Sequence, residues 1–411
     1  MLPGTRFQAF AEMVEQGKQG GYYPFFRALS ESFGPEVTVE GRRLIMVGSN
    51  DYLGLSHHPH VIQAAQEAVR RWGVGPGGSR FLCGNTTLHE ALEERLAAWV
   101  GKKGALVHTT GFSTNFGVLN GLAATQDFLL CDEESHASIV DGCLFSKGRL
   151  LTFRHNQAES ARAKLETVRE KNPEACFLIT EGIFSMSGDI AALPELIALK
   201  RDDPRLVVYL DDAHGLGVLG RGGRGTADHF GVTAEVDFIM GTFSKALASI
   251  GGFLATDDLD ALTYLRHHSR PLIFSAALPA SCAAAALASL DVLEREPERL
   301  DRLHANAKTA FEGYRRIGLP TRWSGSPILP ILVGSEMKAY QFSRELFDAG
   351  VFALPAVYPA VPRGQAIIRT AYMSTHEPRH IERVLEVLSG LAHRHDLQHR
   401  DPACEPAAVS G

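Results

Sequence analysis

LVVYLDDAHG (206–215) and DFIMGTFSKALASIGG (237–252) decide how this chain is read. The first is an apolar run that ends abruptly in Asp211, Asp212 and His214; the second ends in a small-residue loop that carries Lys245. A run with no polar alternation is a strand buried on both faces, as in a parallel sheet covered by helices. Outward from these two, ALVH (105–108), DFLLC (127–131), LLTF (150–153), CFLIT (176–180) and GFLA (252–255) repeat the pattern between helix-like segments. The expectation is an α/β domain with a mainly parallel central sheet.

Thr87-Leu88-His89-Glu90 has the Thr-x-x-Glu form of a capping box, and Leu88, Leu92, Leu96 and Trp99 follow at helical spacing, which predicts a helix over about 88–100. PLIFSAALPASCAAAALASL (271–290) is uncharged. Its alanine and serine content and the central Pro279 argue for a loop and a buried helix from about Ala280 rather than a membrane span. Beyond residue 295, ILPILV (328–333), a helix over 337–349, AIIRTAY (366–372) and a helix over 377–393 predict a smaller α+β domain. The expected division is an N-terminal segment 1–55, a large domain 56–295, a small domain 296–396 and a disordered tail 397–411.

Composition narrows the function. With 41 basic and 47 acidic residues in 411, the net charge is −6, and no global positive field exists to gather nucleic acid. The six cysteines, Cys83, Cys131, Cys143, Cys176, Cys282 and Cys404, have neither zinc-ribbon nor disulfide-framework spacing. No metal site is expected. The N-terminus lacks a basic start followed by an apolar run, so a reducing, cytoplasmic setting is expected. Gly215-Leu216-Gly217-Val218-Leu219-Gly220 satisfies G-x-G-x-x-G, but RGGRGTADHFG after it is too glycine-rich to open the long helix a dinucleotide needs. An extended glycine-rich loop is the better reading.

Carboxylates at the end of a buried strand are costly unless they meet a cation, and a lysine in an apolar loop has reason to be neutral and nucleophilic. An acid and an amine at one crevice match pyridoxal phosphate (PLP), which needs a Schiff-base lysine and an acidic partner for its ring nitrogen. Thr242 and Ser244 offer hydroxyls to its phosphate, TGFSTN (110–115) offers a strand-to-helix turn, and His136 offers a ring to lie over the cofactor.

At this point the chain resembles the α-oxoamine synthases, PLP enzymes of the aspartate-aminotransferase-like fold (fold type I). The resemblance rests on SNDYLGLSHHP (49–59), GGSRFLCGNTTLHEALEERLA (77–97), SHAS (135–138), TEGIFSMSGD (180–189), DDAHG (211–215) and GTFSK (241–245). It implies Lys245 as the Schiff-base lysine, Asp211 at the ring nitrogen, His214 at the phenolic oxygen, His136 stacked on the ring and Ser185 beside it. Gly111, Phe112, Thr242 and Ser244 are implied at the phosphate. A homodimer with a shared active site is implied too, with Ser275 and Ala276 reaching the other subunit's phosphate. Arg369 and Asn50 match the family's contacts to the substrate carboxylate. A second arginine found in many members is replaced here by Val357, and YPAVPRGQAIIR (358–369) is similar to the δ-aminolevulinate synthase branch, which manages without it.

The implied chemistry is a decarboxylative condensation of an amino acid with an acyl thioester. GTFSKALASIGGF, RPLIFSAALP and GYYPFFRALS (21–30) most resemble the serine palmitoyltransferase branch, so L-serine and an acyl-CoA are the expected substrates, giving a 3-ketosphinganine-like product for sphingolipid biosynthesis. An acyl carrier protein thioester stays open as donor. The alternatives are an 8-amino-7-oxononanoate synthase or glycine C-acetyltransferase, then an aminotransferase or aldolase. A non-catalytic regulatory subunit is disfavoured by Lys245. Tyr22, Tyr23, Phe25 and Phe26 line an acyl path or serve plain packing or a dimer contact.

Overall fold

The computed structural model describes residues 5–32, 34–203 and 205–397. The chain forms two compact units, the larger from Asn50–Ser185 and Asp189–Arg302. The smaller takes the residues up to Ser49, Met186–Gly188, and those from Leu303 on.

The larger unit is built on seven strands: β1 (Gly104–His108), β2 (Phe128–Asp132), β3 (Arg149–Phe153), β4 (Cys176–Glu181), β5 (Leu206–Asp211), β6 (Phe238–Thr242) and β7 (Gly252–Thr256). Their order is β1-β7-β6-β5-β4-β2-β3. Neighbours from β6 to β3 pair in parallel, whereas β7 is antiparallel to both β6 and β1. The short 243–251 connection explains the exception, because a parallel return needs a crossover of a dozen residues or more. Every residue of β2, β4, β6 and β7 is buried, which is why these runs show no alternation. After β1 the chain crosses to the far side of the sheet to enter β2, so the order breaks where an open α/β sheet places its ligand, outside the strands' carboxyl ends.

Five helices of this unit matter below: α1 (Pro59–Trp72), α2 (Thr87–Val100), α3 (Gly111–Leu122), α4 (Ala137–Leu144) and α5 (Ala280–Arg295). The cap of α2 is Thr86, not Thr87 as the sequence pattern suggests. His89, rather than Glu90, reaches back: its Nδ1 accepts the Thr86 N–H at 3.2 Å, and its Nε2 lies 2.8 Å from the Leu278 carbonyl. Burial lowers the His89 pKa against the pull of that carbonyl, so a neutral ring protonated on Nε2 serves both contacts. In α5 alanine allows close approach, and Ala280 and Ala284 pack with Ala64, Ala68 and Trp72 of α1. No helix among the described residues is long and apolar enough to cross a membrane.

The smaller unit pairs the antiparallel strands Leu29–Ser32, Glu36–Val39 and Arg42–Met46 with Val351–Phe352, and holds a second sheet of Ile328–Gly334, Ala366–Ala371 and Leu354–Ala356. Its core includes Phe342, Leu346, Ile368, Tyr372 and Val384. The Tyr314 hydroxyl lies 2.9 Å from both Thr370 Oγ1 and the Tyr372 hydroxyl, which satisfies three buried polar groups at once. Val357 packs against this core. Tyr23 and Phe25 meet edge to face, as do Phe25 and Tyr340, while Phe26 is 95% exposed. Of the expected tail, Leu397 is fully buried in this core, and the rest, with Cys404, lies outside the described residues.

Candidate active site

Asp132, Glu181, Asp211 and Thr242 close β2, β4, β5 and β6, so the strand ends gather three carboxylates and a hydroxyl along one edge. Asp211 is buried, and its Oδ2 accepts from Asn115 Nδ2 at 2.7 Å and its Oδ1 from the Ala213 N–H at 3.0 Å. Asn115, on α3, uses its second amide hydrogen on Ser138 Oγ at 2.9 Å and accepts from the Tyr209 hydroxyl at 2.8 Å. Ser138 in turn lies 2.8 Å from His136 Nδ1, which also faces the Ser138 N–H at 3.2 Å. The chain of donors therefore runs from Asn115 outward to Asp211 in one direction and to His136 in the other. With its Nδ1 accepting, the exposed His136 ring presents Nε2–H away from α4, whose N-terminus it caps.

Glu181 lies in register beside Asp211 on the neighbouring strand. Its Oε1 accepts the His136 N–H at 2.6 Å. Burial, then the charge of Asp211, pushes its carboxyl well above the usual range, against the opposing pulls of the His136 N–H and the Lys245 charge. Glu181 thus carries opposing influences on its charge, Asp211 raising its pKa and Lys245 lowering it. Lys245 is half-buried three residues past β6, in a turn closed by the Ala248 N–H on its carbonyl at 3.0 Å.

His214 is buried, with Nδ1 2.6 Å from the Tyr52 hydroxyl; that hydroxyl is also 3.3 Å from Asn50 Oδ1, so Asn50 and His214 meet through Tyr52. Asp212 has another role. It accepts from Thr226 Oγ1 at 2.6 Å and from the Thr226 N–H at 2.7 Å, and burial raises its pKa to about 7 despite both bonds. A Cβ on Gly182, Gly215 or Gly225 would fall within about 2.1 Å of its carboxylate oxygens. The glycine-rich stretch is therefore a wrap around Asp212, followed only by a 3-10 turn at 221–223 and the four-residue helix Thr226–His229.

The first turn of α3 lies against β6 and β7. A Cβ on Gly111 would sit 3.0 Å from Thr242 Oγ1, and one on Gly252 would sit 2.8 Å from the Gly111 Cα. Thr242 Oγ1 lies 2.9 Å from both the Gly251 carbonyl and Ser244 Oγ. Amides at a helix start beside two hydroxyls make an anion-binding corner, with Phe112 exposed at its mouth. Ser185 is half-buried, four residues past the end of β4, and Ser275 and Ala276 are exposed after the short helix Arg270–Phe274. Arg369 belongs to the smaller unit, half-buried on the middle strand of the three-stranded sheet, opposite Pro330 and Leu354.

The chain matches the aminotransferase class I and II family over residues 42–388. It is 42% identical over 382 residues to a serine palmitoyltransferase of Bacteriovorax stolpii, covering 92% of this chain and 90% of that one. It is 38% identical to an 8-amino-7-oxononanoate synthase of Thermoanaerobacter pseudethanolicus, covering 91% and 94%. Its fold superposes with a TM-score of 0.90, at 30% identity over 95% of this chain and 98% of the other, on a serine palmitoyltransferase variant from S. paucimobilis with bound PLP–myriocin aldimine. This chain is an α-oxoamine synthase. It is a fold-type I, PLP-dependent acyltransferase of that family, which joins an amino acid to an acyl thioester.

The residues present fit that cofactor. A buried carboxylate with two donors of its own suits a ring N–H, and the glycine-lined corner at Gly111, which a side chain would fill, suits a phosphate. Sequence reading missed Tyr52, Asn115, Ser138, Tyr209 and Glu181 as parts of the site. Glu181 carried nearly the same signal as Asp211, a carboxylate ending a buried and mostly apolar run; Asn115 carried none, since a helical asparagine is ordinary until its partners are known.

Proposed function

We propose that this enzyme condenses L-serine with a long-chain acyl-CoA, releasing CO2 and CoA and forming a 3-ketosphinganine-like amino ketone. The observation that supports the reaction is the pairing of Glu181 and Asp211 side by side at the strand ends, with His136 bonded to Glu181 through its backbone N–H and Lys245 three residues past the end of β6. Serine as the amino acid is supported by relatives at 41–42% identity named serine palmitoyltransferase. Two 8-amino-7-oxononanoate synthases at 38–39% identity support the second reading, with alanine and a shorter acyl group.

In this reading Lys245 would hold the cofactor aldehyde, and its Nζ is the base that takes the Cα proton of the amino acid. Bound PLP supplies the electron sink for the charge that develops at Cα. Asp211 would hold the ring N–H, His214 would bond the phenolic oxygen, and Ser185 would contact the ring from the side. His136 covers the ring and offers Nε2–H to the substrate acid and the thioester carbonyl. Gly111, Phe112, Thr242 and Ser244 hold the phosphate. Arg369, with Asn50, grips the substrate carboxylate through a charge-assisted pair. A homodimer completes the site, with Ser275 and Ala276 of each copy reaching the phosphate of the other, and the setting is cytoplasmic.

The test is thiol release from palmitoyl-CoA with L-serine, L-alanine or glycine, with product masses read for each pair. Release that needs both L-serine and palmitoyl-CoA is expected. No release across acyl-CoA and acyl-carrier donors would overturn the synthase reading, and release only with alanine and a short dicarboxylic acyl group would favour the second.

A further inference from the structure

Behind the His136 turn lies a charge cluster that the reaction as described does not use. Asp132, the last residue of β2, is wholly shut from solvent. Its Oδ1 lies 3.0 Å from His155 Nδ1 and accepts the Glu134 N–H at 2.9 Å, and its Oδ2 accepts the Asn156 N–H at 2.8 Å. The other ring nitrogen of His155, Nε2, is also shut from solvent, 3.5 Å from Asp189 Oδ2 and 3.7 Å from Glu134 Oε2. The His155 N–H donates to Glu133 Oε1 at 3.0 Å, and the Phe184 ring meets the imidazole edge to face at 4.3 Å.

Three carboxylates thus face one imidazole: Asp132 and Glu134 from the turn that leads into His136, and Asp189 from beyond the Ser185 segment. With both ring nitrogens against carboxylates, only the doubly protonated ring leaves neither nitrogen lone pair facing an anion. Burial opposes that charge, but the bond to Asp132 and the nearby carboxylates of Asp189 and Glu134 outweigh it and push the His155 pKa up to about 10.

We propose that His155 is a positioning residue for the condensation: as a cation it fastens the Asp132–Ser135 turn and so fixes the backbone that carries His136 across the cofactor. The Asp132 carboxylate transmits the effect, because the atom that meets His155 also holds the Glu134 N–H, two residues before His136. Asn156 locks the outer side, its side chain accepting the Ala192 N–H at 2.6 Å and donating to the Ile190 carbonyl at 2.9 Å, so the corner is also tied to the 190–192 segment. His155 touches no substrate in this scheme; it acts through His136, and the inference rests on the role of His136 given above.

The test is a double-mutant cycle on the PLP-loaded enzyme, with L-serine and palmitoyl-CoA as substrates and thiol release as readout. His155→Gln is expected to lower kcat about tenfold while the visible absorbance of the bound cofactor persists, and to cost less than about twofold in a His136→Asn background. Equal losses in both backgrounds, or no loss in either, would overturn the positioning role while leaving the condensation reading intact. Full turnover by His136→Asn alone would remove both. Should His155→Gln fail to fold, Asp189→Asn releases only one partner and is read in the same cycle. Imidazole 15N shifts at pH 8 give a second check: His155 protonated on both nitrogens is expected, and a neutral ring would overturn the proposal.

Discussion

Two carboxylate clusters sit at the same edge of the sheet and settle their charge differently. At the floor, Glu181 and Asp211 lie side by side on β4 and β5; Asp211 keeps two donors and Glu181 is pushed toward the protonated acid by burial and by its neighbour. At the rim, Asp132, Glu134 and Asp189 stay together because His155 takes up a proton among them. An uncompensated ion in either place would cost on the order of several kcal/mol. The lesson is that the floor sets an acid pushed toward its protonated form beside Asp211, whereas the rim sets a fixed cation among its carboxylates and is built to hold shape.

The floor is broken most severely by Lys245→Ala. Turnover should fall about 10^3-fold or more, in the range that proton-transfer and nucleophilic groups supply, with loss of the visible absorbance of the bound cofactor. Retained turnover would show that the amine plays no part. Arg369→Ala extends the charge count to the substrate: a lost bidentate contact of about 2–3 kcal/mol should raise the serine KM roughly 30- to 150-fold with a smaller change in kcat. An unaltered KM would move carboxylate binding elsewhere.

Glu181→Gln sharpens the contrast, because glutamine keeps an acceptor for the His136 N–H and carries no charge. A loss of less than about tenfold is expected if the neutral acid is the working form; a loss as large as that of Lys245→Ala would show that the ionised form is needed. The effect on stability is read at the rim and depends on pH. The His155 pKa is raised from 6.5 to about 10, so its contribution to stability is complete below pH 6.5 and is lost as pH rises through about 10. Calorimetry of wild type and His155→Gln between pH 7 and 10 should show the Tm gap narrowing as pH rises. A constant gap would place the proton elsewhere.

Much of this was legible in the sequence, for physical reasons that differ by region. The central strands announce themselves because a strand covered on both faces cannot alternate, and Asp211 and Lys245 stand out because charge after such a run demands a partner. The orientation of β7 was less accessible, since it follows from the length of a loop rather than from the pattern of a strand. The cap of α2 was misplaced by one residue because His89, bonded to Leu278 far along the chain, displaced the expected glutamate. The glycine run 215–225 was legible as a non-nucleotide loop, but its purpose, clearance for the Asp212 carboxylate, exists only once the loop closes. Tyr52, Asn115 and His155 were silent for the same reason: their partners come from other strands and helices.

The most direct measurement is borohydride reduction of the PLP-loaded enzyme followed by peptide mass spectrometry. A phosphopyridoxyl group on the peptide that carries Lys245, and on no other, is expected. Its appearance on a different lysine, or its absence from a protein that binds the cofactor, would mean that the amine carried past the end of β6 is not the one that captures the aldehyde.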